Sequence, residues 1–264
     1  MGNKQSSTMN VTNINKTFMN LKNKTASICA CAKNVAEHLP LSISKIEMIS
    51  SVFKEVKIFI FENDSTDDTL SILRDWAKKN QSVKIISERN LKLKATKGWY
   101  KRIEALMTGR NRLLEESKTY NPDYYIPIDM DEVISGLTLD GFLSSFNLDL
   151  DWAMVGANQT GHYYDLWVLR TFDDWMNDDC WEECVPKHGY DFCIESKKRN
   201  IPKDSDPIEV LSCFGGLGIY KFKYVKDCNY NRAGLRTVEH TYLHNQMRKK
   251  HNARFFINPK MIGY

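Results

Sequence analysis

Short apolar runs and helically spaced apolar positions alternate from Thr25 onward. Ala26-Ser27-Ile28-Cys29-Ala30-Cys31-Ala32 reads as a buried strand, and a helix is expected near residues 38–50. Val56-Lys57-Ile58-Phe59-Ile60-Phe61 reads as a second strand. The polar turn Glu62-Asn63-Asp64-Ser65-Thr66 then leads into a helix carrying Leu70, Ile72, Leu73 and Trp76. Asp67 and Asp68 suit the positive first turn of that helix, and Ser65 or Thr66 is its expected cap. Val83-Lys84-Ile85-Ile86 is the third strand. A long helix is expected from Trp99 to Lys118, with Ile103, Leu106, Met107, Leu113 and Leu114 at helical spacing. A fourth apolar run ends abruptly at Asp129. Successive βα units with short connections predict an α/β fold built on a mostly parallel sheet.

Beyond residue 135 the rhythm changes. Residues 152–157 and 164–169 read as further strands. Residues 171–207 form a long stretch rich in Trp, Asp, Cys and Pro, too long for a casual connector and a candidate substrate cover. Residues 211–220 carry three glycines, and a final helix is expected over 238–249.

Composition narrows the classes. A hydrophobic fraction of 42% over 264 residues supports one substantial core, in one domain or two merged lobes. No apolar stretch reaches the length of a membrane span. The net charge of +4 is carried by scattered groups such as Lys197-Lys198-Arg199 and Arg248-Lys249-Lys250, which argues against a nucleic-acid groove. Seven cysteines, an odd number in a chain of this size, point to a reducing compartment. Cys180-x-x-x-Cys184 lacks a convincing partner pair for zinc. Residues 1–24 read as a flexible polar arm. Met1-Gly2-Asn3-Lys4-Gln5-Ser6 fits a myristoylation pattern, and an acyl group there would give weak membrane association. An ordinary leader explains the same residues more simply.

The candidate chemistry gathers at strand ends. Asp129 and Asp131, followed by Glu132, emerge where open α/β sheets form ligand crevices. Carboxylates packed so closely repel one another unless a cation sits among them, and oxygen ligands suit Mg²⁺ or Mn²⁺ with substrate phosphates. Asp64 lies at a neighbouring strand end. Arg110, beside Asn111 in the preceding helix, offers forked donors to a diphosphate, while Lys92, Lys94 and Lys97 occupy the loop before it. His240 and His244 share a helical face, and Glu239 is a candidate proton acceptor. Trp175, Trp181, Tyr163 and Tyr164 are candidates for a sugar platform.

Taken together, these segments resemble the nucleotide-sugar-dependent glycosyltransferases of GT-A type. Ser27–Asn34, which includes Ala32, looks like their first nucleotide-binding strand and loop. Phe61–Thr69 resembles their nucleoside-contacting segment, Gly109-Arg110-Asn111-Arg112 the segment preceding the metal motif, and Asp129-Met130-Asp131 that Asp-x-Asp motif. In flavour the likeness is nearest to enzymes of fungal capsule synthesis and of large DNA viruses. It implies a mostly parallel sheet flanked by helices, with a Rossmann-like nucleotide-sugar half at 25–134 merged with an acceptor-binding, catalytic half at 135–264. It further implies a nucleotide diphosphate sugar donor, a glycan or glycosylated protein acceptor, and Mn²⁺ or Mg²⁺ held by Asp129, Asp131 and His244. Ala32, Glu62, Asp64, Arg110, Asp129, Gly215 and Gly216 would contact the donor, and Glu239 would be the base of an inverting transfer. His240 stands where the commonest version of the motif has an aspartate, which weakens that choice of base. A cytoplasmic location is implied, in the host cytoplasm were the chain viral.

Other classes remain open on the residues alone. A phosphohydrolase of haloacid dehalogenase type would use Asp129 as nucleophile, although Val133 stands where such motifs carry Thr. A catalytically silent nucleotide- or carbohydrate-binding protein would keep the same cleft.

Overall fold

The computed structural model describes residues 15–95, 98–231 and 237–264. The acylation pattern at Gly2 and the candidate phosphate contact Lys97 therefore lie outside the described residues. Residues 15–21 are helical and Leu21 is buried, so the expected polar arm is anchored at its inner end.

The first half follows the predicted alternation: β1 (Thr25–Ala32), α1 (Leu39–Ser50), β2 (Glu55–Asn63), α2 (Thr69–Lys79), β3 (Val83–Glu88), α3 (Gly98–Tyr120) and β4 (Tyr124–Pro127). Pro40 stands in the first turn of α1, where a missing N–H costs nothing, and Leu39, Ser42, Ile46 and Ile49 form its buried stripe. At α2 the expected cap is displaced. Asp67 Oδ1 accepts the Thr69 N–H, while Ser65 Oγ accepts the Asn34 N–H and so ties the loops after β1 and β2 together.

The second half contains α4 (Leu139–Ser144), β5 (Met154–Asn158), β6 (Ile208–Val210), β7 (Gly218–Lys221), α5 (Glu239–His251) and β8 (Phe255–Ile262). All strands join one mixed sheet in the order β3-β2-β1-β4-β7-β5-β8-β6. The first four are mutually parallel, β7 runs antiparallel between β4 and β5, and β8 runs parallel to β5. The expectation of a mostly parallel sheet thus holds for the first half and gives way to a mixed arrangement in the second. Residues 164–169 are not a strand. They fold into turns, with the Leu169 N–H bonded to the Asp165 carbonyl, and only Arg170 bridges Ser212.

Both faces of the sheet are covered. Ile28, Ile58, Ile60 and Ile126 face one core, whereas Cys29, Phe59, Phe61 and Tyr125 face the other. Burial on both sides is why these strands read as continuous apolar runs. The packing of α3 on β2 is close: a Cβ at Gly109 would lie 2.5 Å from Phe61 Cδ1. Among the described residues no helix is long and apolar enough to cross a membrane.

The cysteines correct the sequence reading. Cys184 and Cys193 form a disulfide, which removes Cys184 from any zinc half-site and departs from the expectation of uniformly reduced thiols. Cys29, Cys31, Cys180, Cys213 and Cys228 are free. Burial pushes the Cys29 and Cys31 thiols up to about 12, as for inert packed side chains.

Candidate functional site

A cleft of about 690 Å³ opens at the carboxyl ends of β1, β2 and β4. The loop after β1 supplies Ala32, Lys33 and Asn34, and the end of β2 supplies Asn63 and Asp64. Lys101, Arg102 and Arg110 of α3 face it from the other side, and Asp129 and Asp131 close its floor. Three basic side chains opposite these carboxylates suit a ligand that carries its own negative charge.

Local geometry holds each carboxylate differently. Asp64 adopts φ +51 and accepts the Asn90 N–H at 2.6 Å, the leading reason its carboxyl is held below the usual range. Asp131 caps the turn Glu132–Ile134 through the Val133 N–H at 3.3 Å. Asp129 donates its backbone N–H to the Gly216 carbonyl at 2.8 Å. Its carboxyl is pushed up to about 7, first by burial and then by Asp131, Asp165 and Glu239, against the opposing pull of Arg110.

Arg110 is the buried cation of this cluster. Its Nη2 lies 3.2 Å from Asp129 Oδ1, and its Nε lies 3.2 Å from Glu239 Oε1 as an ion pair without hydrogen-bond alignment. Nη1 contacts His240 Nε2, and the guanidinium carbon sits 5.0 Å from the Phe214 ring. Burial would weaken the charge, but Glu239 and Asp129 more than offset it. His240 stacks on Phe214 with centroids 4.1 Å apart and is held neutral by burial and by Arg110.

Asp165 is the member that the sequence did not single out. It accepts the Gly215 N–H at 2.9 Å, and burial raises its carboxyl to about 6. Among the described residues no ion pair joins it to a cation. An acidic side chain inside the apolar run 163–169 was the available signal, since buried carboxylates are rare without a purpose. Gly215 and Gly216 have φ +69 and +83, and a Cβ on Gly215 would lie 2.4 Å from the Ala157 carbonyl. Instead of lining the cleft, this pair positions Asp165 and Asp129 through backbone bonds.

Three expectations are revised. Glu62 is buried and accepts from the Ser65 N–H and the Ser87 hydroxyl, so it shapes the loop after β2 without lining the cleft. His244 is fully buried; Ser212 Oγ lies 2.8 Å from its Nδ1 and Tyr220 Oη 2.7 Å from its Nε2. Both ring nitrogens are occupied, which removes it as a metal ligand. Tyr163 and Trp175 are core residues with rings 5.8 Å apart, and of the expected platform only Tyr164 and Trp181 are exposed.

A separate donor set lies at the opposite end of the sheet. Asp227, Cys228 and His251 bring their ligand atoms within 4.8 Å of one another. His251 Nε2 already contacts Asp227 Oδ1 at 2.8 Å and Lys250 Nζ lies 4.0 Å from Asp227 Oδ2, so the carboxylate is satisfied without an ion.

No family model matches the sequence, and no curated protein matches it. Solved structures do. A mannosyltransferase from Pyrobaculum calidifontis, determined with GDP-Man and Mn²⁺, superposes with a TM-score of 0.51 at 10% identity, over 97% of this chain and 65% of that one. The chain shares the fold of that structure. It spans 65% of the mannosyltransferase's length. TarS 1-349 from S. aureus gives a TM-score of 0.48 at 10% identity over 88% of this chain and 57% of its own, a likeness too loose to add weight.

Proposed function

We propose that the chain transfers a sugar from a nucleotide diphosphate sugar to a hydroxyl of a glycan or glycosylated protein. One observation carries this reading: Asp129 and Glu239 pair with the buried guanidinium of Arg110, and Asp131 and Asp165 lie close enough to raise the Asp129 carboxyl, beside a cleft faced by Lys33, Lys101 and Arg102. That excess of carboxylates over buried cations fits a hard divalent ion, and oxygen donors select Mn²⁺ or Mg²⁺. Asp131 and Asp129 would hold it, and when bound it would neutralise diphosphate charge. The narrower kinship with capsule and large-virus enzymes belongs to the same proposal and rests on the segments Glu62–Thr69, Phe214-Gly215-Gly216-Leu217 and Glu239-His240.

The chain's own groups divide the work. The loops carrying Ala32 and Asp64 would receive the nucleoside, while Arg110 stays charged throughout and opposes the negative charge that grows on the departing phosphate. Glu239 is the base of an inverting transfer in this proposal, taking the acceptor's hydroxyl proton as the new C–O bond forms and the sugar–phosphate bond breaks. A second reading gives that proton to Asp165, because Glu239 is paired with Arg110 whereas Asp165 accepts the Gly215 N–H and, among the described residues, has no ion-pair partner.

The test is turnover across a panel of nucleotide sugars with Mn²⁺, Mg²⁺ or EDTA, comparing wild type with Asp131→Asn. Metal-dependent use of one donor, lost on substitution, supports the proposal. Hydrolysis of simple phosphate esters without nucleotide-sugar dependence would move the phosphohydrolase reading ahead, and donor binding without turnover would favour a binding protein.

A further inference from the structure

The irregular segment between β5 and β6 holds an aromatic pair that the donor cleft does not use. Trp181 and Tyr190 are 42% and 47% exposed, their ring centroids 5.9 Å apart at 41°. Aromatic faces exposed side by side, with polar groups at their rim, suit a contact site better than isolated exposed rings do.

The pair is built and held in place. Asp179 is buried beneath it, accepts the Trp181 and Glu182 N–H groups at 3.0 and 2.9 Å, and receives the Trp167 indole N–H. Arg170 pairs with Asp179 at 3.5 Å and bridges Ser212, at the foot of the glycine turn that positions Asp165. The Cys184–Cys193 disulfide joins the turn carrying Trp181 to the short helix Tyr190–Cys193. Tyr100 Oη donates to Glu182 at 2.7 Å, which places the pair beside the start of α3, the stretch that lends Gly98, Lys101 and Arg102 to the cleft.

We propose that Trp181 and Tyr190 form the acceptor platform, taking a glycan whose sugar ring lies on the indole face. The occupant follows from the Tyr100–Glu182 link to the helix that borders the cleft and from the mixture of aromatic faces with polar groups such as Glu182 and Glu183, which matches a sugar's apolar face and hydroxyl rim. The proposal rests on the transferase reading for its role as acceptor site, but not for binding itself.

Isothermal titration of the oxidised chain with short oligosaccharides ending in mannose, glucose, galactose, xylose or N-acetylglucosamine tests it. One series should bind saturably. Trp181→Ala should weaken binding roughly tenfold, Trp181→Phe should keep most of it, and Tyr190→Ala or Cys193→Ser should weaken it in chains whose thermal unfolding stays cooperative. Absence of binding by every probe, or wild-type binding by Trp181→Ala, overturns the platform. Turnover of a nucleotide sugar with an unchanged acceptor KM in Trp181→Ala overturns the platform alone. Glycan binding lost in Trp181→Ala, with no nucleotide sugar turned over by wild type, supports the platform and removes the transferase reading.

Discussion

Gly215 donates its backbone N–H to the Asp165 carboxylate across 2.9 Å, although 50 positions separate them in the chain. The bond exists because Gly215 adopts φ +69 against the Ala157 carbonyl. Gly215→Ala should cost about 2–4 kcal/mol, combining backbone strain with displacement of a fixed carbonyl. Gly161→Ala, at φ +80 but facing open space, should cost only about 1–2 kcal/mol. Equal costs in urea unfolding would show that the carbonyl contact is irrelevant.

Arg110 neutralises two carboxylates at once. Arg110→Ala leaves the buried Glu239 and the half-buried Asp129 without their cation, and stability should drop by about 3–5 kcal/mol. Chemical denaturation at neutral pH checks this. The double variant Arg110→Met with Glu239→Leu should recover part of the loss; no recovery would mean that packing, not uncompensated charge, dominates.

The carboxyls of Asp129 and Asp165, raised to about 7 and about 6 from an ordinary 3.8, set a pH response. Between those values the folded chain keeps protons that the unfolded chain has released. Their contribution is therefore complete below about pH 4 and is lost as pH rises through about 6 and then 7. In EDTA the melting temperature should fall from pH ~5.5 to ~8, and Mn²⁺ should restore it at the higher pH while adding little at the lower. A melting curve that ignores Mn²⁺ at pH ~8 would count against cation binding at this cluster.

His244→Ala should lower stability by about 2–4 kcal/mol while leaving Mn²⁺ affinity unchanged. The ring is buried between Ser212 and Tyr220, and burial holds its pKa down to about 3. A tenfold loss of Mn²⁺ affinity in a stably folded His244→Gln would return the imidazole to the metal site.

Asp165→Asn and Glu239→Gln separate the two candidate bases. The variant of the residue that takes the proton should lose roughly 100-fold or more in kcat, and where that residue is cut back to alanine small carboxylic acids should rescue it in part. The other variant should show a change in KM or stability without that rescue.

What was legible in the sequence follows from the range of the interactions. The strands and helices from Thr25 to Asp129 announce themselves through local periodicity, and their ends carry Asp64, Asp129 and Asp131 to one cleft. Residues 163–216 do not, because their shape is fixed by partners that no local periodicity reveals: Asp165 by Gly215, Arg170 by Ser212, and Cys184 by Cys193. Without those partners an aromatic run with one aspartate looks like a strand. The pair His240 and His244 makes the same point at short range. Helical spacing puts them on one face, with rings 5.8 Å apart, yet one meets Arg110 and the other is sealed between Ser212 and Tyr220.

The position of β8 between β5 and β6 governs the order in which the molecule is assembled. Phe255–Ile262 follows β5 and β6 in the chain, yet it supplies the neighbour on which both depend. Once β4 is made the parallel half lacks only β7, whereas β5 must wait for β7 on one edge and about a hundred residues for β8 on the other. An exposed, apolar edge held open that long is a template for self-association. Synthesis of this chain thus has a vulnerable interval that closes only when Phe255 and Phe256 dock beside Met154 and Val155.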